Sequence, residues 1–181
     1  MCYNKGMMAK VFEQKGLIQQ NFKLSFIERE LPEIKKGYVY NLVTQKIINP
    51  YGFVLSACKK APIDNLYIAT YGINQKAIEI LMNLLDNGMV KQFVLVLNCN
   101  MKFRMKGKHV VLLEEEKKRD NFRIIKKYSH AKVTLIDQPD SKLVITGSGN
   151  YSENPKIEQY TICDDQELFE FHKEWMLEER L

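Results

Sequence analysis

The sequence lacks the features that mark several classes of protein. No apolar run approaches the 18 or so residues of a membrane-spanning helix, and the first residues lack the apolar core of a signal peptide. The four cysteines are widely spaced and form no CxxC pair. This spacing argues against a metal cluster and favours free thiols in a reducing compartment. We therefore expect a cytoplasmic protein with no metal, no other cofactor and no stable membrane association.

Repeats, low-complexity runs and linkers are also missing, so the 181 residues are expected to form one domain with a full core. The net charge of +5 is unevenly distributed, because residues 100–128 contain ten Lys or Arg against four acids. Such a basic segment predicts a polyanionic substrate. For residues 98–108, a basic loop that is merely solvated is an equally good interpretation. The candidate substrate contacts in this segment are Lys102, Arg104, Lys106 and Lys108.

Apolar runs and helical stripes alternate along most of the chain. Strands are predicted at 38–43, 64–70 and 93–97, and helices begin at Pro50 and after the N-cap candidate Asn74. This alternation favours a parallel sheet with right-handed crossovers. Further helices are predicted at 7–20, 114–128 and 165–179. The buried side of the helix at 114–128 would consist of Phe122, Ile125 and Tyr128.

The resulting fold class is α/β. We expect a mixed β-sheet, largely parallel with antiparallel C-terminal strands, flanked by helices on both faces. Residues 1–36 would form a helical or irregular N-terminal arm. Residues 37–181 would form the catalytic domain.

Residues 128–160 carry most of the polar chemistry. Strands have a period of two, so His130 and Lys132 share one face of a first strand. A turn at 138–141 leads into a returning strand that runs into Ser148 and Asn150, and a third strand at 157–163 carries Glu158. This patch suits a phosphodiester. The lysine, serine and asparagine can donate to charged oxygens, the imidazole can attack or protonate, and the carboxylate can orient the imidazole.

These residues also resemble a known motif. The pattern His130-x-Lys132-x4-Asp137 followed by Gly147-Ser148-x-Asn150 is similar to the HKD signature of the phospholipase D superfamily. The resemblance implies a phospholipase D-like fold and a metal-free phosphodiesterase that works through a phosphohistidine. In that family two motifs meet at one phosphorus. One histidine attacks while the other protonates the leaving oxygen, and a downstream glutamate orients a histidine.

The sequence departs from the family pattern in two ways. Nine residues, rather than about six, separate Asp137 from Gly147, which we interpret as a longer turn at 138–141. The chain also carries one motif instead of two, which implies a homodimer with a shared site. Asp137 is expected to hold backbone amides in the turn, while Gly147 and Gly149 would allow the backbone to approach phosphate.

The leading functional hypothesis is a homodimeric nuclease that hydrolyses DNA or RNA. A phospholipase or phosphatidyl transferase is the alternative enzyme, and a nucleic-acid-binding module with a decayed site is the third hypothesis. His109 and His172 lack the lysine and asparagine that accompany His130. We expect His109 to be a surface residue and His172 to be packed against the sheet.

Overall fold

The structure, a computed structural model, describes residues 18–24, 31–44, 48–100, 107–152 and 156–178, with the backbone alone for 18–24. These ranges contain eight strands and four helices. In chain order they are β1 (Ile18–Leu24), β2 (Tyr38–Thr44), α1 (Tyr51–Cys58), β3 (Ile63–Thr70), α2 (Gln75–Asp86), β4 (Val90–Asn98), α3 (Gly107–Lys117), β5 (Phe122–Lys127), β6 (Val133–Gln138), β7 (Ser141–Gly147), β8 (Gln159–Asp164) and α4 (Gln166–Leu177). None of the described helices is long and apolar enough to cross a membrane.

All eight described strands form one mixed sheet, in the order β1-β2-β8-β7-β6-β3-β4-β5. β1 is parallel to β2, and β3, β4 and β5 are parallel to one another. The pairs in the middle of the sheet, from β2 across to β3, are antiparallel. The predicted α/β class with a mixed sheet is therefore confirmed. The antiparallel C-terminal strands occupy the centre of the sheet, because β6 pairs with β3 and β8 pairs with β2.

Helices cover both faces of the sheet, as predicted. The larger core lies under α1, α2 and α3, where Phe53, Leu81 and Leu112 pack against inward residues of the strands. The smaller core lies under α4, whose Phe169 and Met176 are buried against β3, β6 and β7. The inner strands β3, β4, β6 and β7 therefore have apolar side chains on both faces, which explains the nearly continuous apolar runs in the sequence.

Local sequence signals determine where α2 begins and ends. The side chain of Asn74 accepts a hydrogen bond of 2.8 Å from the backbone N–H of Ala77, which confirms the predicted N-cap. The buried stripe continues through Ile78 and Leu85. Gly88 follows with φ +73°, a conformation in which glycine has no Cβ penalty, and the chain turns into β4.

The predicted helix over 114–128 is wrong in its second half. α3 ends at Lys117, and residues 122–127 form β5 at the edge of the sheet beside β4. The ring of Phe122 stacks on Phe93 with centroids 5.0 Å apart. Tyr128, which was expected on a buried face, is 83% exposed. These residues form a strand because the open edge of β4 offers them backbone hydrogen bonds. That partner is distant in sequence, so a local helical pattern does not reveal it.

The N-terminal arm also differs from the prediction where it is described. Residues 18–24 form β1 and pair with β2 in parallel register, from Ile18 beside Tyr38 to Leu24 beside Thr44. The helix predicted over 7–20 is therefore wrong for residues 18–20, and residues 7–17 lie outside the described ranges. Leu31 and Ile34 pack against the larger core.

Candidate active site

One edge of the sheet collects most of the predicted site residues. The parallel strands β3, β4 and β5 end at this edge. Because β6 is antiparallel to β3, it begins there, and the same alternation makes β7 end and β8 begin there. His130 precedes β6, Ser148 and Asn150 follow β7, and Glu158 precedes β8. The sheet order therefore brings together polar side chains from segments that are separate in the sequence.

His130 and Lys132 are in direct contact. The Nζ of Lys132 lies 2.7 Å from Nδ1 of His130 and 2.8 Å from its carbonyl oxygen. An ammonium can only donate, so Nδ1 is the acceptor and a neutral imidazole carries its proton on Nε2. Partial burial lowers the pKa of Lys132, and the charge of Glu158 opposes that effect. A general acid needs the imidazolium, which carries a proton on both nitrogens, so Lys132 must leave Nδ1 before His130 can donate a proton to a leaving group.

Tyr71 joins His130 to the asparagine of the motif, a role that the sequence did not suggest. Its ring centroid lies 4.4 Å from that of His130, and Lys132 Nζ is 5.8 Å from the tyrosine ring. The backbone N–H of Tyr71 donates to Oδ1 of Asn150 over 3.2 Å. The available signal was its position directly after β3, since the carboxyl ends of parallel strands are common ligand sites.

Asn150 is oriented by its neighbours. Its Oδ1 is within hydrogen-bonding distance of Thr70 Oγ1, at 3.4 Å, as well as of the Tyr71 amide. The next residue, Tyr151, forms a parallel bridge with Ile73 and accepts a 2.8 Å backbone hydrogen bond from Asn74. With its carbonyl held by donors, the Asn150 side chain presents its NH₂ group as the remaining donor.

Ser148 and Glu158 form a second pair at the same edge. The Ser148 hydroxyl donates to the Glu158 carboxylate and accepts from the Gln159 backbone N–H over 3.1 Å. Glu158 is buried, and its own N–H donates to Thr44 Oγ1 at the end of β2. A serine hydroxyl has a single proton. Ser148 can therefore donate to a phosphate only if its hydrogen bond to Glu158 opens.

Asp137 behaves differently from the prediction. Asp137 lies near the far end of β6 from His130. Its carboxylate binds the side chains of Asn65, at 2.8 Å, and Lys142, instead of backbone amides in the turn. It links three strands and is structural.

The two motif glycines have a packing role. A Cβ on Gly147 would lie 2.4 Å from the ring of Tyr160, and one on Gly149 would lie 1.9 Å from its hydroxyl oxygen. Tyr160 thus leaves no room for a side chain at either position, and at Gly147 the backbone oxygen of Gln159, 2.5 Å from the added Cβ, excludes one as well.

The basic segment is partly used for structure. Arg119 pairs with Asp86 and Glu115, and Lys127 Nζ donates to backbone carbonyls at the end of α4. Lys108 is exposed in α3. The other predicted substrate contacts, Lys102, Arg104 and Lys106, lie outside the described residues.

The remaining histidines stand apart from the motif. His109 lies in α3. His172 packs in α4, where its Nδ1 accepts from the Trp175 indole over 3.0 Å, and burial lowers its pKa. Among the described residues, no cluster of three or more His, Cys, Asp or Glu could hold a metal ion.

Comparisons with known proteins support the fold. No family model and no curated protein matches the chain. Among solved structures it is similar to the phosphatidylserine synthase of Haemophilus influenzae Rd KW20, with 11% identity, a TM-score of 0.52 and coverage of 76% of this chain and 37% of the other. It is also similar to the polyphosphate kinase of Porphyromonas gingivalis, with 16% identity, a TM-score of 0.53 and coverage of 81% and 24%. The archaeal chromatin protein TrmBL2 matches with 13% identity, a TM-score of 0.49 and coverage of 76% and 50%.

The chain thus spans half or less of each of these proteins. The synthase and the kinase have folds of the phospholipase D superfamily, so the predicted phospholipase D-like architecture is confirmed. At these levels of identity the likeness concerns the fold alone.

Proposed function

We propose that the protein is a metal-independent phosphodiesterase that cleaves nucleic acid through a phosphohistidine, in a homodimer that brings two copies of His130 to one phosphorus. The observation that carries this proposal is the grouping of His130, Lys132 and Asn150 at one sheet edge, joined through Tyr71. The set offers an imidazole, a cation and an amide donor within one patch, which are the groups that phosphoryl transfer needs.

Each residue has a distinct part in the proposed reaction. Lys132 and Asn150 hold the phosphate oxygens, with Ser148 as a further donor once its bond to Glu158 opens. One His130 attacks phosphorus through Nε2 and the leaving alkoxide takes a proton from the second His130. Water then attacks the phosphohistidine and gives a proton to the second His130, which became neutral in the first step, and the first imidazole and the phosphate product are released.

The two imidazoles must enter this reaction in different protonation states. The donating copy must be an imidazolium, protonated on both nitrogens, so its Nδ1 can no longer accept from Lys132 Nζ as it does in the free site. The attacking copy needs Nε2 unprotonated, so its Nδ1 must carry the proton and Lys132 must move to a phosphate oxygen. Bound phosphate therefore has two roles, as substrate and as the partner that draws Lys132 off the nucleophile. Glu158 as the orienting carboxylate remains a prediction.

Nucleic acid as the substrate is supported by charge. Lys108, Arg123 and Lys126 are exposed cations on α3, the helix that follows β4 in the chain, and on β5, the strand that pairs with β4. A phospholipid is the competing substrate, and hydrolysis of phosphatidylcholine vesicles would reveal it.

The chemical step is tested with purified protein, excess chelator and three substrates: a small chromogenic phosphodiester, labelled single-stranded DNA or RNA, and phosphatidylcholine vesicles. We expect hydrolysis of the small ester and of nucleic acid with chelator present. His130→Ala should lose at least ~10³ of the rate because it removes the nucleophile, whereas His109→Ala should retain it. Activity that returns only with Mg²⁺ or Mn²⁺, or hydrolysis of vesicles alone, would overturn the proposal.

The shared site has a stoichiometric test. When wild-type and His130→Ala chains are co-expressed in equal amounts and pair at random, only wild-type homodimers carry two histidines. A shared site should then retain about a quarter of the activity, and independent monomer sites about half. Retention near half, or an active species that sediments as a monomer, would contradict the dimer.

A further inference from the structure

A cleft of about 340 Å³ opens directly beside His130. It is lined by Tyr71, Asn98, Asn100, Tyr128, Ser129 and His130. The imidazole therefore forms part of its wall, and a group that occupies the cleft lies next to the phosphorus in the proposed reaction. Of the six lining residues, only the histidine belongs to the motif.

Tyr128 is the most unusual residue of this cleft. Its side chain is 83% exposed, although a tyrosine ring is large and gains from burial. It stands two residues before His130, so the ring is presented at the mouth of the site.

The backbone on both sides of Tyr128 is nevertheless held firmly. The Lys127 carbonyl accepts from Cys99 N–H over 2.9 Å, and Lys127 Nζ donates to Glu178 O over 2.5 Å. The Ser129 carbonyl accepts from Asn98 Nδ2 over 2.8 Å. Because this backbone is already restrained, stacking on the ring costs only the rotamer freedom of one side chain with two χ angles, so the platform is partly preorganised.

The opposite wall of the cleft is also ordered. Asn98 is buried, and its Oδ1 accepts from the Asn100 backbone N–H over 2.9 Å while its amide holds Ser129. Asn100 is exposed, so its amide faces solvent beside the ring. The Ser129 hydroxyl accepts from Ala131 N–H over 3.1 Å and keeps its proton to donate. The cleft thus offers a π-surface with polar donors and acceptors around it.

We infer that this cleft is a subsite for one unpaired nucleobase, which stacks on Tyr128 and makes the protein prefer single-stranded nucleic acid. This inference rests on the proposed function for its substrate class. A base in a duplex is stacked between its neighbours and cannot reach the ring, whereas a single strand can offer one. A sugar–phosphate backbone without bases, and a lipid headgroup, would gain nothing from the ring.

Binding is measured by fluorescence anisotropy in a His130→Asn background, which prevents turnover while keeping a polar side chain in the cleft. The probes are labelled oligothymidine, an abasic oligomer with the same number of phosphates, and a duplex of equal length. Tyr128 is changed to Ala or to Phe in this background. Phe171→Ala is the matched control, because it removes an exposed aromatic ring from the middle of α4.

We expect Tyr128→Ala to weaken binding of oligothymidine at least about fivefold, the low end of the range for loss of one stacked base. Binding of the abasic oligomer and the duplex should change less than twofold. Tyr128→Phe, which keeps the ring, should bind oligothymidine like the background, as should Phe171→Ala. Equal losses for oligothymidine and the abasic oligomer, or no loss for either, would overturn the inference.

These outcomes are separable from failure of the proposed reaction. Hydrolysis of the small phosphodiester by the wild-type chain tests the chemistry and involves no base. Base-dependent binding without any hydrolysis would support the subsite and refute the proposed phosphodiesterase activity. Hydrolysis without base-dependent binding would support the proposed enzymatic activity and refute the base-binding subsite.

Discussion

Replacing Gly149 by alanine should destabilise the fold through Tyr160. A Cβ at position 149 would stand 1.9 Å from the tyrosine hydroxyl oxygen and 2.9 Å from the ring carbon that bears it. Ordinary contacts of this type lie near 3.4–4 Å. The ring cannot retreat easily, because Tyr160 is buried and packs edge-on against Phe53 with centroids 5.0 Å apart. Relief must therefore come from the backbone of residues 148–150.

The expected cost follows from this geometry. Inserting a methyl group into a filled site typically costs about 1–3 kcal/mol. For a domain of this size that corresponds to a fall in Tm of roughly 2–12 °C. Tyr160→Phe removes the nearest clashing atom, and the Tyr160 hydroxyl has no hydrogen-bond partner among the described residues. The Phe variant by itself should then be nearly neutral. It should also recover at least about 0.5 kcal/mol of the cost of Gly149→Ala in the double variant.

The assay is chemical denaturation of the wild type, both single variants and the double variant, followed by far-UV circular dichroism. Gly72→Ala is the matched control. This glycine also lies in a loop at the site edge, and a Cβ added there meets no atom within 4 Å. Equal stability of Gly149→Ala and Gly72→Ala would refute the clash. A coupling energy near zero in the double-variant cycle would show that Tyr160 is not its source.

Two further predictions concern the interior and the pH response. Lys127→Met should cost about 1–3 kcal/mol in denaturation experiments, because it leaves the carbonyls of Trp175 and Glu178 without their donor. Lys126→Met, on the exposed neighbour, should stay within about 0.5 kcal/mol of wild type, and equal effects would contradict the capping role. Burial lowers the pKa of His172, so the stability gained from its neutral form is present above about pH 6.5 and is lost as the pH falls through the folded pKa. Protonation also removes the acceptor of the Trp175 indole. The fluorescence of this single tryptophan should titrate below neutrality in the wild type and remain flat in His172→Gln, and identical titrations would exclude the histidine.

In the structure, several motif residues have roles that differ from those expected from the sequence. The conformational freedom of Gly147 and Gly149 is expected from sequence to serve phosphate, but Tyr160 leaves no room for a side chain at either position, and the Gln159 backbone oxygen also excludes one at position 147. Asp137 was expected to hold turn amides and binds side chains on β3 and β7 instead. The glycines and the aspartate thus stabilise the scaffold, and the proposed chemistry depends on His130 and its immediate contacts.

The sequence by itself determined the local elements and the composition of the site. Period-two and helical patterns predicted β2, β3, β4, α1, α2 and α4, and the cap at Asn74, because these signals depend on neighbours within a few residues. The spacing of His130, Lys132 and Asn150 likewise placed these residues around one hairpin. A helix over 114–128 failed for the opposite reason, since β5 forms only because β4 has an open edge.

Tertiary structure alone decided which distant residues meet. Tyr71 contacts His130 because β3 is the sheet neighbour of β6, and no local pattern reports that neighbour. The same is true of Tyr160 beneath Gly149. Tyr128 follows the same logic, since the end of β5 is held against β4 and α4 by contacts across more than 25 residues of sequence. Periodicity reveals which side of an element is apolar, whereas the order of strands in the sheet sets the partners of each polar side chain.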